Sequence, residues 1–109
     1  MKNKVVRISI GRFDHEKLES VKRALAATQE KLTPGIKSMK GNIGNFAGID
    51  YENSAMVNVS LWDSLSSAKQ MDSFQPMLDL AKEFVVMGIR FEHPILNFES
   101  LWTIEQPVE

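Results

Sequence analysis

From Met56 to Asp63 the chain alternates in the manner of an extended strand, with Met56, Asn58, Ser60 and Trp62 on one side and Val57, Val59 and Leu61 on the other. The run stops at Trp62-Asp63-Ser64, where Asp63 or Ser64 can cap a following helix. One face is wholly apolar. The other carries an amide, a hydroxyl and an indole leading toward the strand end, which makes it the best wall for a ligand site in this sequence. No catalytic signature accompanies it.

Similar segments surround this strand. Residues 4–12 alternate, with Val6, Ile8 and Ile10 on one side and Val5, Arg7, Ser9 and Gly11 on the other. Asp14 stands at an expected N-cap, with Glu16 in the positive first turn. Leu18, Val21, Leu25, Thr28 and Leu32 then form a helical stripe, and Pro34-Gly35 is expected to end that helix. Residues 39–51 read as a second strand in which Ile43, Ala47, Ile49 and Tyr51 share a parity. Gly41, Gly44 and Gly48 imply a bulge or bend there. Glu52-Asn53-Ser54 is a turn into the strand described first. Leu65, Ala68 and Met71 make a short helix. Pro76 opens another, with Met77, Leu80, Ala81, Phe84 and Val85 as its stripe and Gly88 after its end. A last strand begins near Ile89, is interrupted at His93-Pro94, and resumes from Ile95 to about Ile104, with residues 105–109 a frayed tail.

The order is β-α-β-β-α-β, with the second helical region broken in two. It predicts an α+β, ferredoxin-like domain over residues 1–109, a four-stranded antiparallel sheet with helices on one face. The sheet has apolar residues on both sides. A sheet of that kind must be covered on both sides, and the helices supply one cover. A second copy of the chain is the economical second cover, so a homodimer through the sheets is expected.

Composition narrows the functional classes. Thirteen Lys and Arg against 14 Asp and Glu leave no electrostatic footprint for nucleic acid or an anionic membrane. The absence of cysteine excludes disulfides, thiolate metal sites and cysteine nucleophiles. The N-terminus carries no long apolar leader and no run reaches transmembrane length, so a cytoplasmic location is expected.

The element order, the size and the Val59-Ser60-Leu61-Trp62-Asp63-Ser64 junction resemble the dimeric α/β-barrel superfamily, and within it the antibiotic-biosynthesis-monooxygenase-like domains. Leu65-Ser-Ser-Ala-Lys69, Gly88-Ile-Arg-Phe91 and Pro94-Ile-Leu96 fit the same arrangement. The resemblance implies a dimeric α/β barrel, with a ligand cavity between sheet and helices in each subunit. It implies that Asn58, Ser60 and Trp62 face that cavity and that Val57, Val59 and Leu61 face the partner. It also implies that Val6, Ile8 and Ile10 are cavity-side, with Arg7 and Ser9 toward the interface. Some members are cofactor-free monooxygenases of polycyclic phenols, in which the substrate anion itself reacts with oxygen. Their Asn and Trp, four residues apart on the third strand, match Asn58 and Trp62, and Arg90 is a looser match for their cation. These three are the catalytic candidates; Ser60, Met71, Phe84 and His93 are the substrate-binding candidates. No cofactor and no metal are expected. The alternative is a non-catalytic ligand-binding or regulatory module of the same fold.

Other readings are weaker. Haem-degrading members need an Asn on the first strand and a His on the last helix; Asn3 lies too early and residues 75–88 contain no His. His15 lacks a second His four residues on. The second and third strands lack the basic and aromatic platform of an RNA-binding sheet. Asn58-Val59-Ser60 matches a glycosylation sequon, but it lies in a strand of a cysteine-free chain.

Overall fold

In the computed structural model, which describes residues 4–105, the first segment forms β1 (Val5–Arg12) and leads through a 3-10 turn at His15–Lys17 into α1 (Leu18–Lys37). β2 (Asn42–Asp50) and β3 (Ala55–Trp62) follow as a hairpin. Then come α2 (Leu65–Ala68), a 3-10 turn at Lys69–Ser73, α3 (Gln75–Met87), β4 (Arg90–Phe91) and β5 (Leu96–Glu99). The sheet runs β2-β3-β1-β4, with β5 also paired to β1, and every pairing is antiparallel. This is the ferredoxin-like arrangement with its last strand in two pieces. Asn3 and the tail after Glu105 lie outside the described residues. No helix among the described residues is long and apolar enough to cross a membrane.

The junctions follow local chemistry. Asp50 accepts the Asn53 side-chain amide at 2.7 Å and the Asn53 and Glu52 backbone N–H groups at 3.1 Å, which closes the hairpin and holds its carboxyl below the usual carboxylate range. Ser64 Oγ accepts the Ser67 N–H and so caps α2. Gly88, at φ 105°, ends α3: its N–H reaches the Val85 carbonyl, and the Ile89 N–H reaches that of Phe84. Lys17 donates to the Met87 carbonyl at the same helix end, where the dipole favours a cation.

Several expectations are corrected. α1 continues through Pro34 to Lys37 rather than ending there, because its buried stripe of Val21, Leu25, Thr28 and Leu32 runs on to Ile36. Burial of Ile36 offsets the helical bond that proline cannot make. Gly35 is required for a different reason. A Cβ there would lie 2.5 Å from the Phe74 ring, so a side chain at this position has to displace that ring at the start of α3. Gly35→Ala is expected to cost about 1–3 kcal/mol despite alanine's better helix propensity; chemical denaturation followed by circular dichroism measures it. Asp14 makes no cap bond and instead approaches Arg90 at 3.5 Å. β2 starts at Asn42 rather than residue 39, and a register shift between Asn42 and Gly44 takes Ile43 out of the parity of Ala47 and Ile49. The last strand ends at Glu99, leaving Leu101, Trp102 and Ile104 largely exposed beyond it.

The largest correction is the parity of β1. Val5 pairs with Trp62, Arg7 with Ser60, Ser9 with Asn58 and Gly11 with Met56, so these residues share the helix-facing side. Val6, Ile8 and Ile10 lie on the opposite face beside Leu61, Val59 and Val57. Three rows of aliphatic pairs thus collect on one uncovered face, extended by Phe46 of β2 and by Leu96 and Phe98 of β5. Val5, Phe13, Met56, Trp62 and Ile89 form the helix-side core with the α1 stripe, Leu80 and Phe84.

Candidate functional site

The helix-facing side of β3 carries the polar wall expected of it. Ser60 is buried, Asn58 half-buried and Trp62 wholly buried. The Trp62 indole N–H donates to Ser60 Oγ at 2.8 Å. The indole is therefore a sealed piece of core with its one donor engaged, not a free stacking surface or a ligand donor. Its bond leaves the Ser60 hydroxyl hydrogen available to a further acceptor. The Asn58 side chain makes no hydrogen bond among the described residues; its cross-strand neighbours are Ser9 and Ala47.

The expected set is only partly brought together. Met71 and Phe84 are buried in the same sheet–helix layer as Trp62. Arg90 is not in it. Paired with Arg12 across the β1–β4 ladder, Arg90 lies on the other parity, exposed and facing Asp14. His93 is exposed in the turn between β4 and β5. The short β4 accounts for both: two residues of pairing bring Phe91 over Gly11 and leave the flanking side chains outside.

The resemblance implies that Arg7 lies toward the dimer interface, and the structure places it inside. It lies on the helix-facing side with its side chain only 9% exposed, and its Nη2 is 2.9 Å from Asp72 Oδ1 in the turn after α2. Its register neighbours are Ser60 on β3 and Asn97 on β5. The Asn97 Oδ1 is buried without a hydrogen-bond partner. Polar residues Ser60, Arg7 and Asn97 thus form one row beneath the helices, continued on β2 by the exposed Asn45. The signal available in the sequence was the shared parity of Val5, Arg7, Ser9 and Gly11 opposite the β3 wall. An open groove of about 300 Å³ exists elsewhere, between Ile10, Arg12, Asp50, Asn53 and Val57, but contains none of the wall's polar residues. Among the described residues no cluster of His, Asp or Glu is arranged to hold a metal ion.

The arrangement of sheet and helices is shared with solved structures of very different sequence. A candidate antibiotic biosynthesis monooxygenase from Deinococcus radiodurans superposes with a TM-score of 0.71 at 10% identity, covering 95% of this chain and 99% of that one. A second such candidate, from Nitrosomonas europaea, gives 0.66 at 13% identity over 94% of each chain. A variant of SnoaB, a cofactor-independent oxygenase from Streptomyces nogalater, gives 0.61 at 13% identity over 94% of this chain and 98% of that one. No protein-family model matches the sequence, and no curated protein matches it. At these identities the likeness is one of fold.

Proposed function

We propose that this protein is a single-domain homodimer, joined through the open faces of its sheets, that binds a small aromatic, phenolic molecule between sheet and helices and oxidises it with dioxygen without a cofactor. The observation that carries the reading is Asn58, a half-buried amide with no partner among the described residues, in the wall facing the helices. Its polar atoms still reach solvent, so the amide is free to donate to a ligand oxygen. Likeness in fold to a cofactor-independent oxygenase supports the chemistry. For a ring methylene activated by a phenol, CH2 and O2 give C=O and water: the carbon is oxidised, and the second oxygen atom leaves with both hydrogens. The protein's part is to desolvate the ionised substrate and stabilise negative charge. Asn58 donates its amide N–H to the substrate or its oxygen adduct, Trp62 holds Ser60, and Met71 lends the site compliance.

The test is oxygen uptake with a hydroxyanthrone. Wild type is expected to consume oxygen, and Asn58→Ala to lower the rate about a hundredfold. A second reading, a binding module without chemistry, draws on the placement of Arg90 and His93 outside the layer and on the engaged Trp62 N–H. Binding of the same phenol without oxygen uptake would favour it. Uptake unchanged in Asn58→Ala would remove Asn58 from the site.

A further inference from the structure

The row beneath the helices contains a charge that the fold does not need for packing. Arg7 is only 7% exposed. A guanidinium so placed requires an anion, since one left unpaired costs several kcal/mol. Its charged partner among the described residues is Asp72, whose side chain is 54% exposed and stands in a short 3-10 turn. The pair is unequal: the cation is fixed in the sheet, and the carboxylate can return to water at little cost. Two further groups beside Arg7 are incompletely used. Ser60 accepts from Trp62 and keeps its own O–H to give. Asn97 Oδ1 is buried with no donor.

Together these groups specify a ligand. Arg7 and Ser60 carry donors at facing positions of adjacent strands, and Asn97, facing Arg7 from the other side, carries an unused acceptor. The geometry points to Arg7, Ser60 and Asn97 as an anion-binding corner that takes the ionised oxygen of an acidic phenol or enol bearing a neighbouring hydroxyl, with Asp72 the counter-ion that this oxygen displaces. The inference rests on the proposed ligand site between sheet and helices and adds the group that site recognises. It makes Arg7 a binding residue, and it makes the turn at Lys69–Ser73 the side from which ligand arrives.

The experiment uses 4-nitrophenolate as a probe, above its pKa, with binding read from its visible absorbance in the absence of turnover. Wild type is expected to bind it. Arg7→Gln is expected to weaken binding about tenfold or more, and Asp72→Asn to tighten it severalfold by removing the competing carboxylate. Because Arg7→Gln removes a buried group, Asp72→Asn at an exposed position provides the reading if the first variant fails to fold. No binding by wild type, equal binding by folded Arg7→Gln, or weaker binding by Asp72→Asn would overturn the inference. Hydroxyanthrone oxygen uptake is scored separately. Arg7-dependent binding with no uptake would reject the oxygenase reading and leave the corner standing; uptake with Arg7-independent binding would do the reverse.

Discussion

Replacing Trp62 by alanine is expected to cost about 3–5 kcal/mol of folding stability. Trp62 has no exposed surface, is among the largest fully buried side chains, and fills the space between β3 and the helices with Met71 and Ala68. Alanine would leave a cavity and also strip Ser60 Oγ of its indole donor. For a domain whose whole stability is about 5–15 kcal/mol, that loss is a large fraction, and the melting temperature should fall on the order of 20 °C. Urea denaturation followed by far-ultraviolet circular dichroism measures the loss without relying on the removed fluorophore. Trp62→Phe keeps most of the buried area and removes the N–H, so it should cost about 1–2 kcal/mol. A loss below about 1 kcal/mol for Trp62→Ala would mean that the wall is not core. The comparison matters for function because Trp62 then acts on a ligand through Ser60 rather than by contact.

That division of labour was only half legible in the sequence. The alternation of β3 separates its two faces, and the family resemblance, rather than the alternation, assigns the Asn58 side to the helices, where the structure has it. β1 was harder. Val6, Ile8 and Ile10 look like the residues a core would take, and Arg7 and Ser9 look like a wet face. The register reverses this: antiparallel pairing puts Arg7 beside Ser60 and Ile8 beside Val59, so the aliphatic face of β1 had to follow that of β3. A strand's alternation states that two faces exist and does not say which one the helices cover. The Arg7–Asp72 contact joins residues far apart in the chain, and local pattern does not reveal such pairs. Pro34 and the last strand failed for a related reason. Local breakers marked ends at Pro34-Gly35, while tertiary burial of Ile36 carried α1 onward. Alternation persisted to Ile104, while the pairing available from β1 supports β5 only to Glu99.

The same reversal strengthens the expectation of a dimer, and Val59→Asp should abolish it. Val59 lies at the middle of the open face, between Ile8 of β1 and Phe46 of β2, with Val57 and Leu61 on its own strand. Phe46 is 59% exposed, and Leu96 and Phe98 are each 50% exposed, so large apolar side chains on the helix-free face meet solvent in an isolated subunit. A contiguous patch of this kind is the mark of an interface. In an isologous dimer each substitution is made twice about the symmetry axis, so Val59→Asp places two carboxylates into one apolar seam. Burying an unpaired carboxylate costs several kcal/mol, which weakens association on the order of a thousandfold. The monomer should still fold, because Val59 points away from the helix-side core. Val86→Asp is the control: Val86 is 88% exposed on α3, and its substitution should leave the dimer intact. Sedimentation or light scattering at micromolar concentration reads the outcome directly. A monomeric wild type would remove the dimer, and the open face would then need another partner. A dimer that survives Val59→Asp would shift the contact to another exposed apolar surface, such as Leu101, Trp102 and Ile104 beyond β5.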